Sequence, residues 1–137
     1  MKEYLIDLPG AEAFLHGHFG ANVQDVQEVG KGEWSVAFAY RWGGRDYVAR
    51  FGLFGEDFFK DRIVGSYTSA RAPLPRILEI GPYQQGFFAL SERAYGHFLD
   101  QLDEHAMRAV LPNLLETLDA VKDIELRDTG GFGLWGA

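Results

Sequence analysis

The chain has 137 residues, 47% of them hydrophobic and 24% charged, which suits one folded domain and excludes wholesale disorder. Twenty Asp and Glu against 13 Lys and Arg give a net charge of −7, so binding to nucleic acid through phosphate neutralisation is not expected. The absence of cysteine excludes disulfides, thiolate metal sites and a cysteine nucleophile.

No stretch approaches the apolar length of a membrane span, and Met1 to Asp7 lacks the apolar run of a signal peptide. The expectation is a cytoplasmic protein with no membrane contact. Pro9 can open a helix, and Ala11 to Phe19 reads as a short helix ending near Gly20. Val23, Val26 and Val29 recur three apart, which is closer to a helical period. Valine content and the glycines that follow nonetheless favour a strand over 23–29. Val36 to Trp42 alternates as a strand does, Gly43-Gly44 is a hairpin turn signal, and Asp46 to Phe51 is a third strand. Glu56 to Arg71 reads as a helix, with Phe58, Phe59, Ile63 and Tyr67 along one side. Arg76 to Pro82 and Phe87 to Glu92 form a second hairpin around Tyr83 to Gly86. Ala94-Tyr95-Gly96 is a break. Asp103 to Glu125 carries Met107, Val110, Leu111, Leu114, Leu115, Leu118 and Val121 at helical spacing, with Pro112 expected to kink it or divide it in two. The tail from Thr129 to Ala137 is rich in glycine and aromatics.

Gly30-x-Gly32-x-x-Ser35 lies between two predicted strands. A dinucleotide fold needs such glycines to lead into a helix, and here they lead into Val36-Ala37-Phe38. A glycine-rich turn between antiparallel strands is instead the phosphate-covering loop of protein kinases, where backbone N–H groups approach phosphate oxygens unhindered by Cβ atoms. One strand later Arg50 stands in Tyr-Val-Ala-Arg, where a kinase has the lysine of its third strand. The order of three strands, helix, two strands, hinge and helix is that of a kinase small lobe. The expected fold is α+β: a kinase-like N-terminal lobe with a five-stranded, mostly antiparallel sheet and packed helices. Residues 1–22 form an N-terminal helical segment, 23–93 the nucleotide-binding lobe, and 94–137 the hinge, long helix and tail.

The sequence resembles the aminoglycoside phosphotransferases, and within them the hygromycin B phosphotransferase branch. The residues that carry the resemblance are Gly32-Glu33, Ala37-Phe38, Gly43-Gly44-Arg45, Tyr47-Val48 with Arg50, Phe58 with Lys60-Asp61-Arg62, Pro73-Leu74-Pro75, Ile80-Gly81 and Gly131-Phe132-Gly133. The resemblance implies an enzyme that moves the γ-phosphate of ATP onto a small-molecule hydroxyl. It implies that Gly30, Lys31, Gly32 and Ser35 cover the phosphates and that Arg50 contacts them. Ala37 and Val48 would line the adenine pocket. Ser91, Glu92, Arg93 and Ala94 would form the hinge whose backbone meets adenine. Asp61 is the carboxylate expected to pair with Arg50, with Glu56 and Asp57 as competitors and a solvated helix face as the plainer reading.

The His-Gly-Asp-x-x-x-x-Asn pattern of kinase-like transfer does not occur; His97 is followed by Phe98-Leu99-Asp100. The catalytic Asp and the ligands of Mg²⁺ are expected in a C-terminal lobe absent from these 137 residues, so this chain alone is expected to be inactive. The rival expectation is a non-catalytic module that self-associates through the long helix and the tail, or a nucleotide sensor. His16-x-His18 reads as a surface pair and not a metal site. The acids from Asp100 to Asp123 read as a solvated face that could also attract a polycation.

Overall fold

The structure is a computed structural model that describes residues 6–126. The Gly131-Phe132-Gly133 segment and the rest of the tail lie outside the described residues.

Helix α1 spans Leu8–Phe19. The Asp7 carboxylate accepts the Gly10 N–H at 2.9 Å, an N-cap that satisfies one of the helix's free donors. Pro9 sits in the first turn, where its missing N–H costs nothing. The helix therefore starts three residues earlier than the apolar pattern alone predicts. Five strands follow: β1 Gln24–Lys31, β2 Ser35–Trp42, β3 Arg45–Gly52, and, after helix α2 (Gly55–Gly65), β4 Ile77–Tyr83 and β5 Gly86–Glu92. Their order across the sheet is β1-β2-β3-β5-β4, and every pairing is antiparallel. Gly43 and Gly44 close the β2–β3 hairpin with φ of 58° and 75°, the conformation a two-residue hairpin turn demands.

The valine spacing in β1 has a structural cause. From Gln24 to Gln27 the strand advances three residues while β2 advances two, from Arg41 to Ala39; a second shift falls between Glu28 and Gly30. Each is a bulge, and Asp25 within the first has a φ of 55°. The first bulge lets Val23 and Val26, three apart, both face the core, whereas Val29 is exposed.

Successive residues of a strand point to opposite faces. One face is the core: Val36, Phe38 and Tyr40 of β2, Ala49 and Phe51 of β3, and Phe88 and Leu90 of β5, buried beneath Ala11 and Leu15 of α1. The Phe14 ring meets those of Phe51, Tyr83 and Phe88 at centroid distances of 5.2, 5.2 and 4.8 Å.

The second helix is shorter than expected, and the last is not divided at Pro112. Helix α2 ends at Gly65, not Arg71. Ser66 Oγ donates to the Ile63 carbonyl at 2.6 Å, Ser69 Oγ accepts the Ala72 N–H, and Thr68 Oγ1 accepts the Leu74 N–H. These side chains offer the backbone an alternative to helix. Helix α3 runs unbroken over Glu104–Lys122 with Pro112 inside it. Its Asp103 cap accepts the Ala106 N–H at 2.7 Å. Leu111, Leu115, Leu118 and Val121 are about half exposed, so among the described residues nothing covers that stripe. No described helix is long and apolar enough to cross a membrane.

Candidate functional site

Residues directly opposite one another in antiparallel strands share a face, so the register assembles the face away from the core. Gly30 pairs with Ala37, Ala37 with Arg50, and Arg50 with Ala89. Two residues along, Gln27 pairs with Ala39, Ala39 with Val48, and Val48 with Ser91. The first row presents one cation among small residues. The second carries Gln27, the buried Ala39, the half-buried Val48 and the buried hydroxyl of Ser91. Ala39 and Ala89 were not singled out from sequence. Cross-strand register was the signal that finds them, since Ala39 lies two residues from Ala37.

Arg50 is held from α2. Its Nη2 lies 2.7 Å from Asp61 Oδ2, and its guanidinium stands 5.1 Å from the centre of the buried Phe58 ring. Asp61 is therefore the acid that pairs with Arg50, and the solvated-face reading of it is set aside. Asp57 is engaged by Lys60 at 3.0 Å.

The glycines divide into two kinds. A Cβ on Gly81 would stand 2.6 Å from the Phe88 ring, and one on Gly86 would stand 2.3 Å from the Gly52 carbonyl oxygen. Packing requires those glycines. A Cβ on Gly30 would meet only Ala37 Cβ at 4.0 Å, one on Gly32 only the Ser35 carbonyl at 3.8 Å, and neither glycine has a positive φ. Their own protein does not demand them. Gly30 and Lys31 belong to β1 itself, and the turn is confined to 32–34, closed by the Gly32 N–H to the Ser35 carbonyl at 2.8 Å.

The remaining predicted residues divide by face. Lys31 pairs with Val36 and Glu92 with Tyr47, so both side chains leave the sheet opposite Arg50. Glu92 instead approaches Arg76 at 3.4 Å. Only the backbones of Lys31 and Glu92 can serve the site. In the hinge, the Glu92 N–H donates to the Arg76 carbonyl at 3.1 Å and the Arg93 N–H to the Asp46 carbonyl at 3.4 Å. Ala94 is the first of the four beyond these ties. The Tyr95 hydroxyl donates to the Asp46 carboxylate, and the Arg93 guanidinium lies 4.6 Å from the Tyr95 ring centre. An open groove of about 420 Å³ at this end of the sheet is lined by Gln27, Arg41, Asp46 and Arg93 together with Val26 and Tyr40 of the core side.

His16 Nε2 lies 3.3 Å from the Val23 carbonyl oxygen, and His18 Nε2 lies 2.9 Å from Glu79 Oε2, so each has a structural partner. No group of three His, Asp or Glu among the described residues could hold a metal ion.

No family model matches the chain. It is 36% identical over 138 residues to the hygromycin-B 4-O-kinase of Escherichia coli, covering 99% of this chain and 40% of that protein. The crystal structure of the aminoglycoside phosphotransferase APH(4)-Ia superposes with a TM-score of 0.84 at 38% identity, over 90% of this chain and 42% of that one. A thermostable mutant of APH(4)-Ia in ternary complex with AMP-PNP and hygromycin B gives 0.83 at 39% identity, over 89% and 42% of the two chains. The chain spans about two fifths of the length of these relatives. With a five-stranded antiparallel sheet and three α-helices among the described residues, it has a kinase-like fold, and in sequence and structure it resembles the N-terminal lobe of the aminoglycoside phosphotransferases.

Proposed function

We propose that the face carrying Arg50 binds ATP as one wall of a phosphotransferase cleft. Adenine lies on Ala39, Val48 and Ser91, beside Ala37, and takes a backbone contact from Ala94. The phosphates lie between the Gly30–Ser35 hairpin and Arg50. The observation that carries this reading is the row itself: an ion-paired arginine aligned with a glycine that packing does not require. The Asp61 carboxylate fixes the guanidinium while leaving donors free for phosphate, and the fork geometry suits two phosphate oxygens at once.

In a complete transferase, the acceptor hydroxyl oxygen would bond to the γ-phosphorus as the bond to the β–γ bridging oxygen breaks. ADP leaves, and the hydroxyl proton passes to a carboxylate base. Mg²⁺ would neutralise phosphate charge, with its carboxylate ligands outside these 137 residues. An aminoglycoside of hygromycin type is the proposed acceptor, because the relatives are a hygromycin kinase and a complex with hygromycin B. On this reading residues 23–93, with the helix of 1–22 packed on them, form the nucleotide lobe, and 94–137 lead toward the second lobe. The enzyme works in the cytoplasm, without nucleic acid or membrane partners.

Calorimetric titration of the 137-residue chain with Mg·ATP tests this. One-to-one binding, without phosphate transfer to hygromycin B, is the expected result. A folded chain that binds no nucleotide would overturn it. The uncovered stripe of α3 favours a second reading, self-association of the chain as an interaction module. Sedimentation then shows a dimer that Leu115→Lys returns to monomer.

A further inference from the structure

The hairpin turn 32–34 is joined to the start of α2 by contacts that the core does not need. Trp34 and Phe54 are 49% and 53% exposed, yet their rings meet at a centroid distance of 5.8 Å. Trp34 belongs to the turn, and Phe54 is the residue before the first turn of α2. Beneath them the Trp34 carbonyl oxygen closes on Gly52, standing 3.0 Å from where a Cβ would be, and the Phe58 ring stands 3.3 Å from the same point. Phe58 in turn lies under the Arg50 guanidinium. Trp34, Gly52, Phe58 and Arg50 thus form one contiguous path, and Phe54 fastens its outer end. Two half-exposed aromatics are a poor way to stabilise a core, but a good way to hold the tip of a turn whose Gly32–Ser35 hydrogen bond closes only its base.

We infer that Trp34 and Phe54 are positioning residues that clamp the glycine turn in its phosphate-receiving position above Arg50. The inference rests on the proposed ATP site and adds its means of preorganisation. A turn held before the ligand arrives does not lose its freedom on binding, so the contact strengthens phosphate binding without touching phosphate. The clamp bears on the phosphates and not on the base, which lies over the second row.

The test uses Mg·ATP and adenosine as separate probes on Trp34→Ala, Phe54→Ala and the double variant, with melting temperature measured alongside. An exposed aromatic pair of this kind supports a loss of roughly threefold to tenfold in Mg·ATP affinity. The expected result is that loss in each single variant, no further loss in the double variant, and unchanged adenosine affinity. Trp34→Phe keeps a ring on Phe54 and restores most of the affinity. Equal losses for adenosine and Mg·ATP, losses that add in the double variant, or no loss at all would overturn the inference. Should the unsubstituted chain bind Mg·ATP in an Arg50-dependent way while the aromatic variants do so equally well, the clamp fails and the ATP site stands. Should the unsubstituted chain bind no nucleotide, both fail.

Discussion

Gly30→Ala separates a nucleotide-binding hairpin from an ordinary one, because the two readings assign the added methyl group different consequences. The new Cβ would lie 4.0 Å from Ala37 Cβ, an ordinary van der Waals contact, on a residue without positive φ. The folded state accepts it, and the unfolded chain loses freedom, so stability should rise by about 0.4–1 kcal/mol. By register the methyl projects onto the face that carries Ala37 and Arg50. There it would keep phosphate from a backbone N–H. A hydrogen bond to a charged group contributes about 1.5–3 kcal/mol, so Mg·ATP affinity should fall about tenfold or more. Urea titration measures the first effect and calorimetry the second. A variant that is more stable and binds Mg·ATP with undiminished affinity would refute the assignment of this hairpin to phosphate. A variant that is less stable would refute the packing argument.

Arg50→Ala should weaken Mg·ATP about tenfold or more, whereas its half-exposed pair with Asp61 contributes only about 0.2–1 kcal/mol to folding. Asp61→Asn should therefore change affinity more clearly than melting temperature, measured in parallel on one preparation. Gly81→Ala would place its Cβ 2.6 Å from the Phe88 ring and should destabilise by about 1–3 kcal/mol through overpacking, a cost that chemical denaturation reads directly. Burial first, and then the neighbouring Tyr47 and Glu79, push the Tyr40 phenol well above its ordinary value. The unfolded phenol ionises near pH 10 and the folded one above it, so stability is complete below about pH 10 and falls as pH rises beyond that. Tyr40→Phe should flatten that alkaline slope in urea midpoints taken from pH 9 to 11; an unchanged slope would assign it to other groups.

The element order was legible because each strand and helix carries its own period and its own punctuation. Gly43-Gly44 fixed one hairpin, and the Leu and Val spacing of 107–121 fixed the last helix. What local pattern concealed was competition. Apolar spacing continued the second helix past Gly65, while Ser66, Thr68 and Ser69 offered their hydroxyls to the backbone and ended it. In the first strand the interval of three from Val23 to Val26 hid a bulge. In the site, Gly30, Ala37, Val48, Arg50 and Ser91 were named from sequence, and they share a face. Lys31 and Glu92 were named with them for their backbones; their side chains leave on the other face, because adjacent residues in a strand alternate. Ala39 and Ala89 carry no chemical signal of their own; only register sets them, buried, beside Val48 and Arg50.

The most direct measurement is a titration of the uniformly labelled chain with Mg·ATP, followed residue by residue through amide chemical shifts. If the face opposite α1 is the nucleotide wall, the shifts concentrate at Gly30, Gly32, Ala37, Ala39, Val48, Arg50 and Ala94, and leave Ala11 and Leu15 of α1 unmoved. Shifts confined to α1 or to the Tyr83–Gly86 turn, or none at saturating nucleotide, would contradict it.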